Sequence, residues 1–184
     1  MATMFINVLK MKGLTRLPIW SDSNRESKII DFNLIVPQSD DLNMDDGTIL
    51  NNLNNIHHPY GHGCGDMSFI TNYGFPAFYQ WRLHNWGTPR QPWFFVIVNA
   101  DTVVFRTSED CPIGILRALG NMYPDTIIQC DYCSEAKGCR AGHITIRGDY
   151  VFIDDYGDDS PESINNYNLW NKYYPDEWKG DDDE

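Results

Sequence analysis

Trp93-Phe-Phe-Val-Ile-Val98, then Asn99-Ala-Asp101, then Thr102-Val-Val-Phe-Arg106 is the stretch that decides the fold. The first segment is almost continuously apolar, as expected of an interior strand. Asn99-Ala-Asp101 turns the chain, and Thr102 to Arg106 supplies the β-branched and aromatic residues of a second strand. Just upstream, Pro76 to His84 puts Phe78, Trp81 and Asn85 on one helical face. Pro76 suits a helix start, and Gly87 can end the helix in a left-handed conformation. Just downstream, Ser108 or Asp110 can cap a helix with Pro112 in its first turn, and Ile113, Leu116, Leu119 and Tyr123 recur at helical spacing until Pro124.

The same reading extends to both ends. Thr126 to Cys133 predicts a strand with Ile127, Gln129 and Asp131 opposite Ile128, Cys130 and Tyr132. After a loop over 135–142, Gly142–Arg147 and Tyr150–Ile153 predict a hairpin about Gly148-Asp149. Toward the N-terminus, Phe5–Met11 predicts a first strand ended by Gly13, and residues 14–28 a connection. Ile29–Val36 alternates imperfectly and predicts another strand, stopped by Pro37. Residues 38–66 are dominated by Asp, Asn, Gly and His, which predicts an irregular insertion. The expected architecture is α+β, with a mainly antiparallel sheet and helices on one face.

Charge divides the 184 residues unevenly. Residues 154–184 hold 11 acidic residues against two lysines, so most of the net charge of −12 belongs to the end of the chain. We expect a principal domain at 1–153 and an acidic aromatic extension at 154–184. The acidic balance opposes direct nucleic-acid binding and attraction to anionic membranes, and favours a partner with a basic surface. No apolar run approaches the roughly 20 residues of a membrane span. The start of the sequence lacks signal-peptide character, so a cytoplasmic setting with reduced cysteines is expected.

Several segments resemble the YubB-like family of ferredoxin-like proteins found on bacteriophages, prophages and plasmids. Asn7-Val-Leu-Lys-Met-Lys-Gly13 resembles its opening strand, and Asp31-Phe-Asn-Leu-Ile-Val-Pro37 a following conserved segment. Trp81 with Asn85-Trp-Gly-Thr88 matches its most distinctive motif, and 112–142 follows its helix, strand and glycine-rich turn. Arg106-Thr-Ser-Glu-Asp-Cys111 departs from the pattern, where an aromatic residue and a second proline are usual. The resemblance implies a ferredoxin-like domain, a host-cell setting on a mobile element, and no known catalytic chemistry or cofactor.

Candidate sites follow from residue chemistry. Trp81, Asn85, Trp86, Gly87 and Thr88 form either a recognition surface or a structural joint in which the amide and hydroxyl satisfy turn backbone. In the extension, Trp170, Tyr173, Tyr174, Asp176, Glu177 and Trp178 combine aromatic anchors with carboxylates, as a partner-binding surface would. Folding back of these aromatics onto the domain is the competing expectation. The overall expectation is a non-enzymatic inhibitor of a host or defence protein, of the anti-CRISPR or DNA-mimic kind. The alternative is a small metal-dependent enzyme or a zinc-stabilised domain. It would use Cys130, Cys133, Cys139 and His143, although a strand through 130–133 would aim the first two cysteines apart. His57, His58, His62, Cys64 and Asp66 form a second polar cluster, read as a glycine-rich loop with no ion bound. No metal ligand set and no catalytic residue is therefore assigned.

Overall fold

The computed structural model describes residues 3–22, 28–39 and 78–175. Six strands build the main sheet: β1 (Met4–Met11), β4 (Trp93–Asn99), β5 (Thr102–Ser108), β6 (Ile128–Ser134), β7 (Ala141–Arg147) and β8 (Tyr150–Tyr156). They lie in the order β4-β5-β1-β6-β7-β8, and every neighbouring pair is antiparallel. Helix α2 (Phe78–Trp86) precedes β4, and α3 (Ile113–Met122) joins β5 to β6. Strand-helix-strand-strand-helix-strand with the spatial order β4-β5-β1-β6 is the ferredoxin-like split βαβ arrangement. The β7–β8 hairpin then widens the sheet beyond β6.

The central hairpin forms as expected, from Asn99↔Thr102, with Asn99 Oδ1 accepting the Asp101 N–H at 2.8 Å. Its first strand is not interior. β4 is an edge, and its register breaks between Trp93 and Val96 and again between Ile97 and Asn99. Phe95 packs against one core and Val96 against the other, as strand alternation requires, while Phe94, Ile97 and Val98 stay exposed. An unbroken apolar run can therefore serve a bulged edge as well as a buried strand.

The segment 29–36 also differs from expectation. Trp20–Asp22 (β2) and Lys28–Ile30 (β3) form a separate two-stranded ribbon, and Phe32–Ile35 is a single helical turn, α1. Asp31 explains the switch, because its carboxylate accepts the Asn33 N–H at 2.9 Å and so starts the turn. Ile30, Phe32 and Ile35 are then buried together, and Leu34 faces outward. Of the expected insertion, residues 40–66 lie outside the described residues.

Two cores sandwich the sheet. The larger joins Phe5, Leu9, Phe105, Cys130 and Ile146 of the strands to Phe32, Trp86, Leu116 and Leu119 of the helices, so the helices within 1–153 cover one face. The opposite face receives α4 (Pro161–Tyr173), which starts with Ser160 accepting the Ser163 N–H and with Pro161 at its first turn. Tyr167, Trp170 and Tyr174 pack there on Ile6, Val8, Val104 and Cys133. The Trp170 indole donates to Ser134 O at 2.9 Å, and Asn166 Nδ2 bridges Tyr132 O and Gly142 O at 3.3 and 3.1 Å. Residue 153 is no boundary, since β8 continues to Tyr156 and the helix after it completes the second core.

Candidate functional site

Gly148 takes φ 55 at the first of two turn positions, where a type II′ hairpin turn wants glycine. The turn fixes the register Arg147↔Tyr150, and pairing continues without a break to Ala141↔Tyr156. Alternation then sorts β8 into two rows. Val151, Ile153 and Asp155 share the face of the larger core with Ile144 and Ile146. Tyr150, Phe152, Asp154 and Tyr156 share the face that α4 covers in part. No strand among the described residues pairs with the outer side of β8. Phe152 remains 49% and Ile153 40% exposed.

Carboxylates crowd this edge. Asp149, Asp154, Asp155, Asp158, Asp159 and Glu162 are all exposed along the turn, the strand and the start of α4. On the larger-core face, the edge opens into a cleft of about 510 Å³. It lies between the end of α2, the start of α3 and the Ile144–Ile153 part of the hairpin, while the far end of α3 packs on Ile146 through Gly120. Leu83 and Gly87 form one wall, Ile144, Ile153 and Tyr132 the floor, and Glu109, Asp110, Arg140 and Asp155 the polar rim.

The rim is held in unusual backbone conformations. Glu109 and Arg140 have φ 69 and 47, left-handed for side chains that seldom adopt it. Arg140 Nη2 donates to Glu109 O at 2.8 Å and to an Asp110 carboxylate oxygen at 2.9 Å, so one guanidinium ties the loop after β5 to the start of β7. Tyr132 donates its hydroxyl to the Asp155 carboxylate. Burial, then that neighbouring carboxylate, raises the Tyr132 pKa far above the ordinary phenol value. Burial, then a hydrogen bond with Cys130, likewise pushes the Cys111 thiol well up. Both groups are neutral at physiological pH, and the negative charge of the cleft resides on its carboxylates. Gly142 fits this floor because a Cβ there would lie 2.5 Å from the Tyr132 hydroxyl and 2.6 Å from Asp154 O.

A second polar group lies across the sheet. His143 Nδ1 is 2.6 Å from Asp131 Oδ1, its Nε2 is 3.0 Å from Thr145 Oγ1, and Lys10 Nζ is 2.7 Å from Asp131 Oδ2. Burial works against ionisation of Asp131, but the hydrogen bonds from Lys10 and His143 outweigh it and lower its pKa. These are successive positions on adjacent strands of a sheet face. They form a ladder of partners.

The structure distributes the sequence candidates differently. Trp86 is fully buried and donates to Val36 O at 2.9 Å, with Trp81 edge-on to it at 5.9 Å. Asn85 donates to Trp81 O at 2.8 Å and Thr88 to Ser108 O at 2.8 Å. Gly87 has φ 87, and a Cβ there would sit 2.8 Å from both Cys111 O and Ile113 N. These five residues thus make a joint between α2 and α3, and only Gly87 reaches the cleft. Trp170, fully buried, and Tyr174, which donates to Phe94 O, are engaged by the fold, so they do not form the partner-facing surface expected of them. Tyr173 is half-buried beside Lys172. Asp176, Glu177 and Trp178 lie outside the described residues, as do His57, His58, His62, Cys64 and Asp66.

The alternative zinc set is not assembled. β6 runs through both Cys130 and Cys133, so one thiol is buried under the domain helices and the other under α4. His143 is engaged by Asp131 and Thr145. Among the described residues, no three His, Cys, Asp or Glu side chains come together as ligands. The cleft itself was missed by sequence reasoning. The residues after β5, Glu109 to Cys111, carried no periodicity or motif that would have marked them as its rim. Comparison with protein-family models, characterised proteins and solved structures gives no match. No helix among the described residues is long and apolar enough to cross a membrane.

Proposed function

We propose that this chain is a non-enzymatic accessory protein that binds and inhibits a partner protein through an acidic surface, occupying basic ground that nucleic acid would otherwise hold. The observation that carries the reading is the row of exposed carboxylates along β8 and the start of α4, beside exposed Tyr150, Phe152 and Ile153. Clustered carboxylates speed encounter with a basic surface, and the apolar side chains supply contact area once it is reached. The setting, a mobile element acting on a host or defence protein, rests on the family resemblance.

The test is affinity capture from cells carrying the element, comparing wild type with a variant combining Asp154→Asn, Asp158→Asn, Asp159→Asn and Glu162→Gln. A partner that wild type retains and the neutralised variant loses at physiological salt supports the reading. Identical captures by the two proteins sink it.

A further inference from the structure

The two edges of the sheet differ in a way that bears on how a partner binds. β4 is a poor template for a new strand, because two register breaks and Phe94 at φ 52 interrupt its outer row of main-chain groups. β8 is a regular seven-residue strand. In a two-residue hairpin the closing pair, Arg147↔Tyr150, exchanges hydrogen bonds, and the bonded pairs then alternate along the ladder. The main-chain N–H and C=O groups of Val151, Ile153 and Asp155 consequently point away from β7, toward the open edge. Their side chains point to the cleft face, where Ile153 and Asp155 are part of its lining.

We infer that β8 is a strand-addition site for an extended, lysine- or arginine-bearing segment of the partner protein. The inference rests on the proposed acidic capture of a basic partner and adds its geometry. Side chains of an added strand opposite Ile153 and Asp155 project over the cleft, within reach of the Asp155, Glu109 and Asp110 carboxylates. Side chains on the alternate positions meet Phe152 and Asp154. Main-chain hydrogen bonds supply the affinity of such an addition, and the cleft selects the cation. Charge decides against a second copy of this chain, since β8 pairing with itself would bring two sets of Asp154 and Asp155 together.

The test uses the full chain and short capped peptides of alternating lysine and valine. A glutamate–valine peptide of equal length is the charge control. A lysine–valine peptide N-methylated at the amides along one edge is the geometry control. Binding is followed by titration, and its location by the chemical shifts and hydrogen exchange of assigned amides. Strand addition predicts slowed exchange at Val151, Ile153 and Asp155. It also predicts about tenfold or greater weakening on N-methylation, the scale of a few lost hydrogen bonds.

Equal binding of the methylated and unmethylated lysine peptides would overturn strand addition and leave acidic capture standing. Equal behaviour of the lysine and glutamate peptides would overturn acidic capture itself. Protection of the three amides before peptide is added would mean the chain or a second copy already fills this edge, and would also overturn the proposal. Ile153→Pro removes an outward N–H that β7 does not use. If the variant keeps its circular dichroism spectrum, it should lose the lysine peptide, and retention of full affinity would count against the site.

Discussion

β4 and β8 close the same sheet at opposite sides, and both expose large apolar side chains, yet they are built differently. Ile97 of β4 is 54% exposed and Phe152 of β8 is 49% exposed, so hydrophobicity alone does not separate them. Their order and their neighbours do. β4 is bulged, and the Tyr174 hydroxyl, brought over by the end of α4, occupies Phe94 O. Arg106 lies over the rings of Phe94, Trp170 and Tyr174 on the same side. β8 is regular and ringed by carboxylates. Edges are protected from unwanted pairing by bulges, tethers and charge. Here the tether and the bulges guard one side, and the charge marks the other.

The largest effect that would disturb this comparison comes from the helix serving both sides. Trp170→Ala should cost about 3–5 kcal/mol, the range for a buried tryptophan truncated to alanine. Urea unfolding should show this, and a loss below about 1 kcal/mol would mean that α4 is dispensable to the second core. Gly142→Ala comes next, at about 1–3 kcal/mol of overpacking against Tyr132 and Asp154 O. Its signature is faster hydrogen exchange in β8 than in β4, and uniform acceleration would contradict it. Tyr174→Phe should cost about 1 kcal/mol, the usual net worth of one hydrogen bond. It should loosen β4 while leaving the β8 amides unchanged.

The smallest effect is a pH dependence on the face between the two edges. The Asp131 carboxyl is lowered from 3.8 in the folded state, so its stabilisation is present above that value and is lost as pH falls through the folded pKa. Asp131→Asn should therefore flatten the loss of stability at acid pH and cost under about 1 kcal/mol at neutral pH, as partly exposed ion pairs do. Unfolding curves for the two proteins that stay parallel from pH 6 to pH 2 would contradict the assignment.

Sequence made the sheet legible where periodicity was clean. Ile128, Cys130 and Tyr132 alternate into the larger core as read, and α3 buries Leu116 and Leu119. It failed where one residue type served two geometries. The apolar run of β4 carried no mark of its bulges, and the alternation at 29–36 hid a helical turn set by a single aspartate. The aromatic residues of the extension were visible, but whether they faced the domain or a partner depended on an exposed second face of the sheet. The cleft was the least legible part. It lies where the end of α2 and the start of α3 face two strands added after the ferredoxin-like core, and Glu109 and Arg140 meet there from well-separated parts of the chain.

The position of β1 has a consequence for the order in which the molecule can be made. It lies inside the sheet, with Met4 paired to Ser108 and Phe5 to Ser134, so both its neighbours are synthesised long after it. As the chain leaves the ribosome, the β4–β5 hairpin can close on local contacts, but the first strand must wait for distant partners. Sheets joined by such long-range pairing fold slowly and remain open to wrong associations meanwhile. The Phe5–Met11 segment is thus where a chaperone holding the nascent chain would protect it most.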